Sequence, residues 1–118
     1  MGKYNVLDSK VVIGLVEKVE IRHSSGKEDI AAKIDTGATK SSIDIVLASK
    51  LNLGPVIKSK IVKSAHGNKL RPIIEASIEL AGKKMKSEFT LADRSHMKYP
   101  ILIGQNILKE GFLIDPNK

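Results

Sequence analysis

Runs of apolar residues, some alternating with polar ones and some continuous, predict that this chain is built from many short β-strands. Residues 11–23 are apolar in the first half and alternate with charged residues in the second half, which favours a strand with a bend at Gly14 over a helix. A Ser-Ser-Gly-Lys turn follows at 24–27, so residues 29–34 are expected to pair back as the second strand of a hairpin. That hairpin ends at Asp35.

The middle of the chain predicts one short helix and one long hairpin. Apolar residues recur at helical spacing over 44–53, where Asp44 or Ser42 can cap the start and Gly54–Pro55 ends the helix. The residues before it, 39–43, are polar and short, and no element is predicted for them. The long hairpin is expected to run up over 56–65, turn at 66–69 and return with strict alternation over 70–80.

The last third of the chain predicts further strands. They are a strand over 84–91, a wholly apolar and therefore buried strand over 101–104, one or two helical turns over 105–111, and a final strand over 112–116. Many short strands with glycine turns predict an all-β sandwich or barrel, here as a single domain over 1–118.

Composition fits that prediction and restricts the partners. With 42% hydrophobic and 28% charged residues, the chain is expected to be a soluble globular domain. The N-terminus lacks the apolar core of a signal peptide, no apolar run is long enough for a membrane span, and a cytoplasmic protein is predicted. The net charge is +7, but the lysines are scattered and aromatics are only 3%, which argues against nucleic acid as a partner.

The tetrapeptide Asp35-Thr36-Gly37-Ala38 is the strongest candidate for chemistry. A buried strand that stops at an acid and then turns on glycine can present one carboxylate to a cleft. Asp and Gly also dominate ordinary turns, so the tripeptide alone leaves both interpretations open.

Metal and nucleotide chemistry find little support in the residues. Zinc needs three or four clustered ligands, whereas the chain has no Cys, and His23, His66 and His96 stand singly in a strand end, a hairpin turn and a loop. There is also no glycine-rich phosphate loop ending in Lys-Ser/Thr. We therefore predict no metal and no cofactor.

The acid tetrapeptide 35–38 lies early in the chain, the apolar strand with Gly104 lies late, and a long hairpin lies between them. In this order the segments resemble one lobe of an aspartic protease of the retropepsin type. The chain also resembles a bacterial and archaeal family known as ATP-dependent zinc proteases. The segments that carry this second resemblance are 12–17, 66–72, 91–100, 101–108 and 112–116.

The resemblance implies a small closed β-barrel of the acid protease fold, with one or two short helices, and an aspartic endopeptidase activity. Asp35 would be catalytic, with Gly37 permitting the tight turn and Thr36 bonding across a dimer. Gly104 would pack beneath the acid loop. The hairpin end would act as a flap, so the implied substrate-binding residues are Ala38, Ala65, His66, Gly67 and Asn68.

One Asp-Thr-Gly per chain gives half of a carboxylate pair, so a two-fold homodimer is predicted. The substrate would be a peptide or protein, and the net charge of +7 suits an acidic one. Two alternatives remain: a non-catalytic peptide-binding module on the same fold, and a metal-dependent peptidase. The terminal segments that retropepsins use for dimerisation are not recognisable in this sequence, and Asp93–Arg94 fits either an ion pair or a loop cap.

Overall fold

The computed structural model describes residues 4–65 and 67–118, and within them the chain forms ten strands and two short helices. The elements of the first half are β1 (Val6–Leu7), β2 (Lys10–Ile13), β3 (Val16–His23), β4 (Gly26–Ile34), β5 (Ser41–Asp44) and α1 (Ile45–Lys50). Those of the second half are β6 (Val56–Ser64), β7 (Gly67–Leu80), β8 (Lys83–Ala92), β9 (Ile101–Ile103), α2 (Gln105–Leu108) and β10 (Phe112–Ile114).

Six strands close into a barrel, as predicted. Their order is β3-β4-β9-β5-β8-β7, and β7 pairs back onto β3 through Val19 with Leu80 and Ile21 with Ile78. Strand β6 lies outside this ring and is attached to β7 alone, so the β6–β7 hairpin extends from the barrel as an arm.

The barrel interior is filled by the inward-facing positions of the alternating strands. The largest side chains that are less than 2% exposed include Phe89 on β8, Ile101 and Ile103 on β9, and Ile78 on β7. Burial of branched aliphatic side chains from neighbouring strands stabilises the closed sheet through the hydrophobic effect. Strand β9 lies between β4 and β5, with Ile101 and Ile103 in the barrel interior and Leu102 half-buried on the other face.

Asp44 caps helix α1, one of the two residues predicted to do so. Its Oδ2 accepts a hydrogen bond from the backbone N–H of Leu47 at 3.3 Å. The helix ends at Lys50, earlier than predicted, because Asn52 adopts a positive φ of 56° that no helix accommodates.

Several segments differ from the sequence prediction. Residues 11–23, predicted as one strand with a bend at Gly14, form the two strands β2 and β3 in different sheets, and β4 begins at Gly26, inside the turn predicted at 24–27.

The polar segment before the helix contains strand β5, whose backbone pairs with β8 on one side and with β9 on the other. Strand β7 begins at Gly67, so Gly67, Asn68 and Lys69 lie in a strand rather than in the predicted turn. The ladder extends this far because Ser64 pairs with Gly67, and glycine accepts the φ of 107° found there.

A small second sheet joins the two ends of the described chain. Strand β2 lies between β1 and β10, antiparallel to the first and parallel to the second, with Val11 opposite Phe112. The sequence did not reveal this terminal sheet, because its strands are two to four residues long. Among the described residues, no helix has the length and apolar character needed to cross a membrane.

Candidate active site

The acid loop leaves the barrel where two parallel strands end together. Strand β4 pairs in parallel with β9, and Ile34 lies opposite Ile103. The backbone N–H of Asp35 continues this ladder by donating to the Ile103 carbonyl at 2.9 Å. Asp35 is thus held by the sheet itself at the rim of the barrel.

The loop folds back on the Asp35 carboxylate. The Gly37 N–H donates to Oδ1 of Asp35 at 2.9 Å, and the Ala38 N–H donates to the Asp35 carbonyl at 3.2 Å. Asp35 is half-buried, and its Oδ2 accepts no hydrogen bond from any described residue. One carboxylate oxygen is therefore oriented by the loop while the other is available.

Gly104 lies directly against the acid loop. A β-carbon at this position would stand 2.3 Å from the carbonyl oxygen of Lys40 and 2.8 Å from that of Ala38, distances that atoms do not tolerate. The next residue, Gln105, donates its backbone N–H to the Ala38 carbonyl at 2.8 Å and its Nε2 to the Thr36 carbonyl at 2.7 Å. The start of α2 thus fixes the loop from below.

A buried serine completes this support. Ser41 is 1% exposed, and its Oγ accepts from the Gly104 N–H at 2.9 Å while donating to Oδ1 of Asn106 at 2.7 Å. The Nδ2 of Asn106 in turn donates to the Glu88 carbonyl at 3.1 Å. Sequence reasoning missed Ser41 and Asn106. The only signal was that each is a polar residue, Ser41 in a polar segment and Asn106 shortly after the apolar strand.

A groove of about 510 Å³ opens beside the end of β4. Three cationic side chains, Lys33, Arg94 and Lys98, line it together with apolar and aromatic ones. The remaining lining residues are Leu15, Val16, Ile34, Met97, Tyr99 and Leu102. The groove therefore combines apolar walls with positive charge, next to the residue that precedes Asp35.

Two hydrogen bonds fix Arg94 in this groove, one within its own loop and one to the cap of α1. Its Nε donates to the Tyr99 carbonyl at 3.0 Å, and its backbone N–H donates to Oδ1 of the buried Asp44 at 2.8 Å. Burial lowers the pKa of Arg94, and the negative charges of Asp44 and Asp35 act in the opposite direction. The guanidinium thus lies within the electrostatic field of the acid loop.

Asp93 proves to be a loop cap rather than the partner of Arg94. Its Oδ1 accepts from the Ser95 hydroxyl at 2.6 Å and from the Ser95 N–H at 3.0 Å. These hydrogen bonds to the charged form lower the pKa of the Asp93 carboxyl. Asp93 therefore shapes the loop that carries Arg94.

The residues predicted for the site fall into two groups. Asp35, Thr36, Gly37 and Ala38 share one turn, whereas Ala65, Gly67 and Asn68 lie at the far end of the β6–β7 hairpin. His66 lies outside the described residues. Over the ranges 4–65 and 67–118, no group of three or more His, Cys, Asp or Glu side chains could hold a metal ion.

The chain is similar in fold to solved proteases of retroviral type. A simian foamy virus protease matches with a TM-score of 0.61 at 20% identity, over 80% of this chain and 91% of that one. EIAV protease in complex with the inhibitor HBY-793 matches with a TM-score of 0.62 at 20% identity, over 80% and 85%. A Legionella pneumophila protein of unknown function matches with a TM-score of 0.64 at 23% identity, over 91% and 94%.

The curated proteins that this chain matches are longer than the chain itself. Two of them, from Shewanella pealeana and Shewanella halifaxensis, are named "Probable alpha-L-glutamate ligase" and are 29% and 28% identical over 94% of this chain. The chain spans only 30% of the length of each.

A match to a protein-family model shows which family the chain belongs to. The model of the RimB-like family, described as retropepsin-like aspartic endopeptidase RimB, matches residues 48–118, a segment that begins after the acid loop. This match covers more than half of the chain and agrees with the closed barrel and with the retroviral-type neighbours. The chain belongs to the RimB-like family of retropepsin-like proteins.

Proposed function

We propose that this protein is an aspartic endopeptidase whose active site forms when two copies bring their Asp35 carboxylates together. The observation that carries the proposal is the geometry of the acid loop. Asp35 lies at the rim of a retropepsin-like barrel, with Oδ1 held by the Gly37 N–H at 2.9 Å and Oδ2 without a hydrogen bond from the described residues.

The chemistry follows from placing two such carboxylates about 3 Å apart, where both cannot ionise and one proton is shared. The ionised carboxylate removes a proton from water, and the water oxygen attacks the peptide carbonyl carbon. The protonated carboxyl donates its proton to the carbonyl oxygen. Collapse of the tetrahedral adduct breaks the C–N bond: the first carboxyl gives the proton that it took from water to the leaving amine nitrogen, and the second carboxylate takes a proton back from a hydroxyl of the adduct.

A second copy is needed because the chain has one Asp-Thr-Gly and three of its other aspartates are already engaged in hydrogen bonds. Asp44 is buried and caps α1, and Asp93 holds Ser95. Asp115 accepts from the Asn117 N–H at 2.9 Å. The hydroxyl of Thr36, by contrast, makes no hydrogen bond within the described part of the chain, which leaves it able to bond to a partner subunit.

An acidic peptide is the substrate that the charge distribution supports. The groove next to the acid loop carries Lys33, Arg94 and Lys98. The hairpin segment 56–74 has five cationic side chains and no carboxylate. Two curated relatives are named as glutamate ligases, which suits a substrate rich in glutamate.

The test is the isosteric variant Asp35→Asn, assayed on a fluorogenic acidic peptide. Cleavage should fall by at least about a thousandfold, because an amide cannot accept the proton from water, while the circular dichroism spectrum stays unchanged. Asp29→Asn is the matched control, since Asp29 is an exposed residue of β4, the strand that leads to Asp35. Undiminished cleavage by Asp35→Asn, or loss of wild-type cleavage on chelator treatment, would contradict the proposal.

The second candidate is a peptide-binding module without catalysis. It is favoured by one observation, namely that the family match begins at residue 48 and leaves the acid loop outside. A wild-type protein that binds the acidic peptide with the same affinity as Asp35→Asn and cleaves nothing would support this candidate instead.

A further inference from the structure

A second cleft, of about 450 Å³, lies at the opposite end of the β3–β4 hairpin from the acid loop. The eight residue steps from Ile34 to Gly26 put about 26 Å of strand between the two sites. The cleft exists because β3 and β7 pair only over Val19–Ile21, so that the strands diverge beyond this point. The loop 52–55 and strands β6, β7 and β8 complete its walls.

His23 contributes an unusual donor to this cleft. Its Nδ1 accepts a hydrogen bond from the Ser25 N–H at 3.3 Å, so the proton of the neutral imidazole sits on Nε2. Nε2 is buried and has no hydrogen-bond partner among the described residues. Because a buried donor without an acceptor costs free energy, the site favours a ligand that supplies one.

The charges around His23 favour an acceptor that is negative. Arg22 and Lys86 line the cleft and are opposed there by Glu75 alone. Lys86 and Glu75 form no ion pair with any described residue, whereas Arg22 forms a long ion pair with Glu20 at 4.0 Å. The cleft is thus lined by His23 and by two cationic groups, of which Lys86 has no carboxylate partner among the described residues.

The remaining walls are apolar. Leu53, Pro55, Ile57 and Ala76 line the cleft, and Ile57 is 49% exposed although it is a large hydrophobic residue. Such surface gains free energy when an apolar group covers it. We propose that this cleft binds a small carboxylic acid with an apolar body, whose carboxylate pairs with Arg22 and Lys86 and accepts from His23 Nε2 once the imidazole turns from its buried position toward the cleft.

The position of the cleft connects it with the hairpin that extends from the barrel. Pro55 immediately precedes β6, and Glu75 and Ser77 belong to β7. The cleft therefore lies at the base of the hairpin, where both of its strands join the barrel. A ligand that ties these walls to the end of β3 restrains the base of the hairpin. This consequence for a flap rests on the proposed function, whereas the binding itself does not.

The experiment is a titration of the ¹⁵N-labelled protein with sodium benzoate, followed by NMR. Saturable shifts are expected for the His23 ring Nε2–H and for the amides of Leu53 and Ala76, with slower amide exchange in β6. Benzyl alcohol, which keeps the ring and lacks the carboxylate, should bind at least tenfold more weakly. Inorganic phosphate, an anion without an apolar body, should also bind at least tenfold more weakly.

Variants separate the proposed contacts from general charge effects. His23→Phe keeps a ring and removes the donor, so benzoate affinity should fall at least tenfold, whereas His96→Phe, in an exposed loop, should leave it unchanged. If His23→Phe does not fold, Arg22→Gln serves, with the same expected loss. Absence of saturable shifts, or equal affinity of wild type and variant, would overturn the proposal. Because no cleavage is measured, failure here and failure of the peptidase proposal are distinguishable.

Discussion

Gly104 shows how one residue without a side chain can determine the geometry of the acid loop. The backbone carbonyls of Lys40 and Ala38 occupy the space in which a β-carbon would lie. Backbone atoms cannot rotate away as a flexible side chain can, so the loop or β9 itself has to shift.

We therefore expect Gly104→Ala to lower the free energy of unfolding by about 2 to 3 kcal/mol, the range for overpacking a tight interior. Urea denaturation followed by circular dichroism measures this change. Gly82→Ala is the matched control: Gly82 has a φ of +84° but no atom within 4 Å, so only backbone strain of about 1 kcal/mol is expected there. Equal losses in the two variants would show that the contact with the acid loop is unimportant.

The residues of the site differ in how far the sequence reveals them. Asp35 and Gly104 stand out because an acid and a glycine each follow an apolar strand. Ser41 does not stand out, since its role depends on a hydrogen bond with Gly104, 63 positions away. A serine in a polar segment has no local feature that predicts such a partner.

The β6–β7 hairpin is the element in which charge is most unevenly distributed. Lys60 lies directly opposite Arg71, and Lys69 lies on the same face of the ladder. Like charges at directly opposite positions destabilise an antiparallel pair by about 0.2 to 1 kcal/mol. The acidic substrate proposed above would relieve this repulsion on binding.

Lys60→Glu should therefore slow amide exchange in β6 and raise the KM for an acidic peptide several-fold, since it replaces repulsion by an ion pair and removes an attractive charge. Lys18→Glu makes the same change of net charge on β3, where Lys18 lies opposite Ala31. It should leave the exchange of β6 unchanged and affect the KM much less. A similar KM increase in both variants would assign the effect to net charge rather than to the hairpin.

The existence of an element was predictable where hydrophobic periodicity was strong, and it was not predictable where pairing with distant strands decides the structure. The β3–β4 hairpin and β9 followed from alternation and from a continuous apolar run. Strand β5 was missed because its four residues, three of them polar, become a strand only through pairing with β8 and β9. The start of β7 was wrong because Gly-Asn normally indicates a turn, whereas here Gly67 and Asn68 continue the ladder.

At the scale of the whole molecule, barrel closure could be expected from the family resemblance but not from the strand pattern. Many short strands suit a sandwich as well as a barrel. The deciding contact is the pairing of β7 with β3, which joins segments almost sixty residues apart. The terminal sheet is a second long-range feature of this kind, since β2 and β10 come from opposite ends of the described chain.

The proposed dimer can be tested through the activity of mixed dimers. If each active site needs one Asp35 from each subunit, a mixed dimer of wild type and Asp35→Asn is inactive. With a ninefold excess of the variant and free subunit exchange, about one tenth of the wild-type chains find a wild-type partner. The activity of the wild-type chains should therefore fall to about one tenth.

The same excess of Asp29→Asn should leave that activity unchanged, because these mixed dimers contain two Asp35 residues while Asp29 lies in the exposed part of β4. Sedimentation velocity on each mixture verifies that dimers are present. Full activity in the excess of Asp35→Asn would mean that one subunit acts alone. The second carboxylate would then have to come from the same chain, where Asp44, Asp93 and Asp115 are each held in a local hydrogen bond.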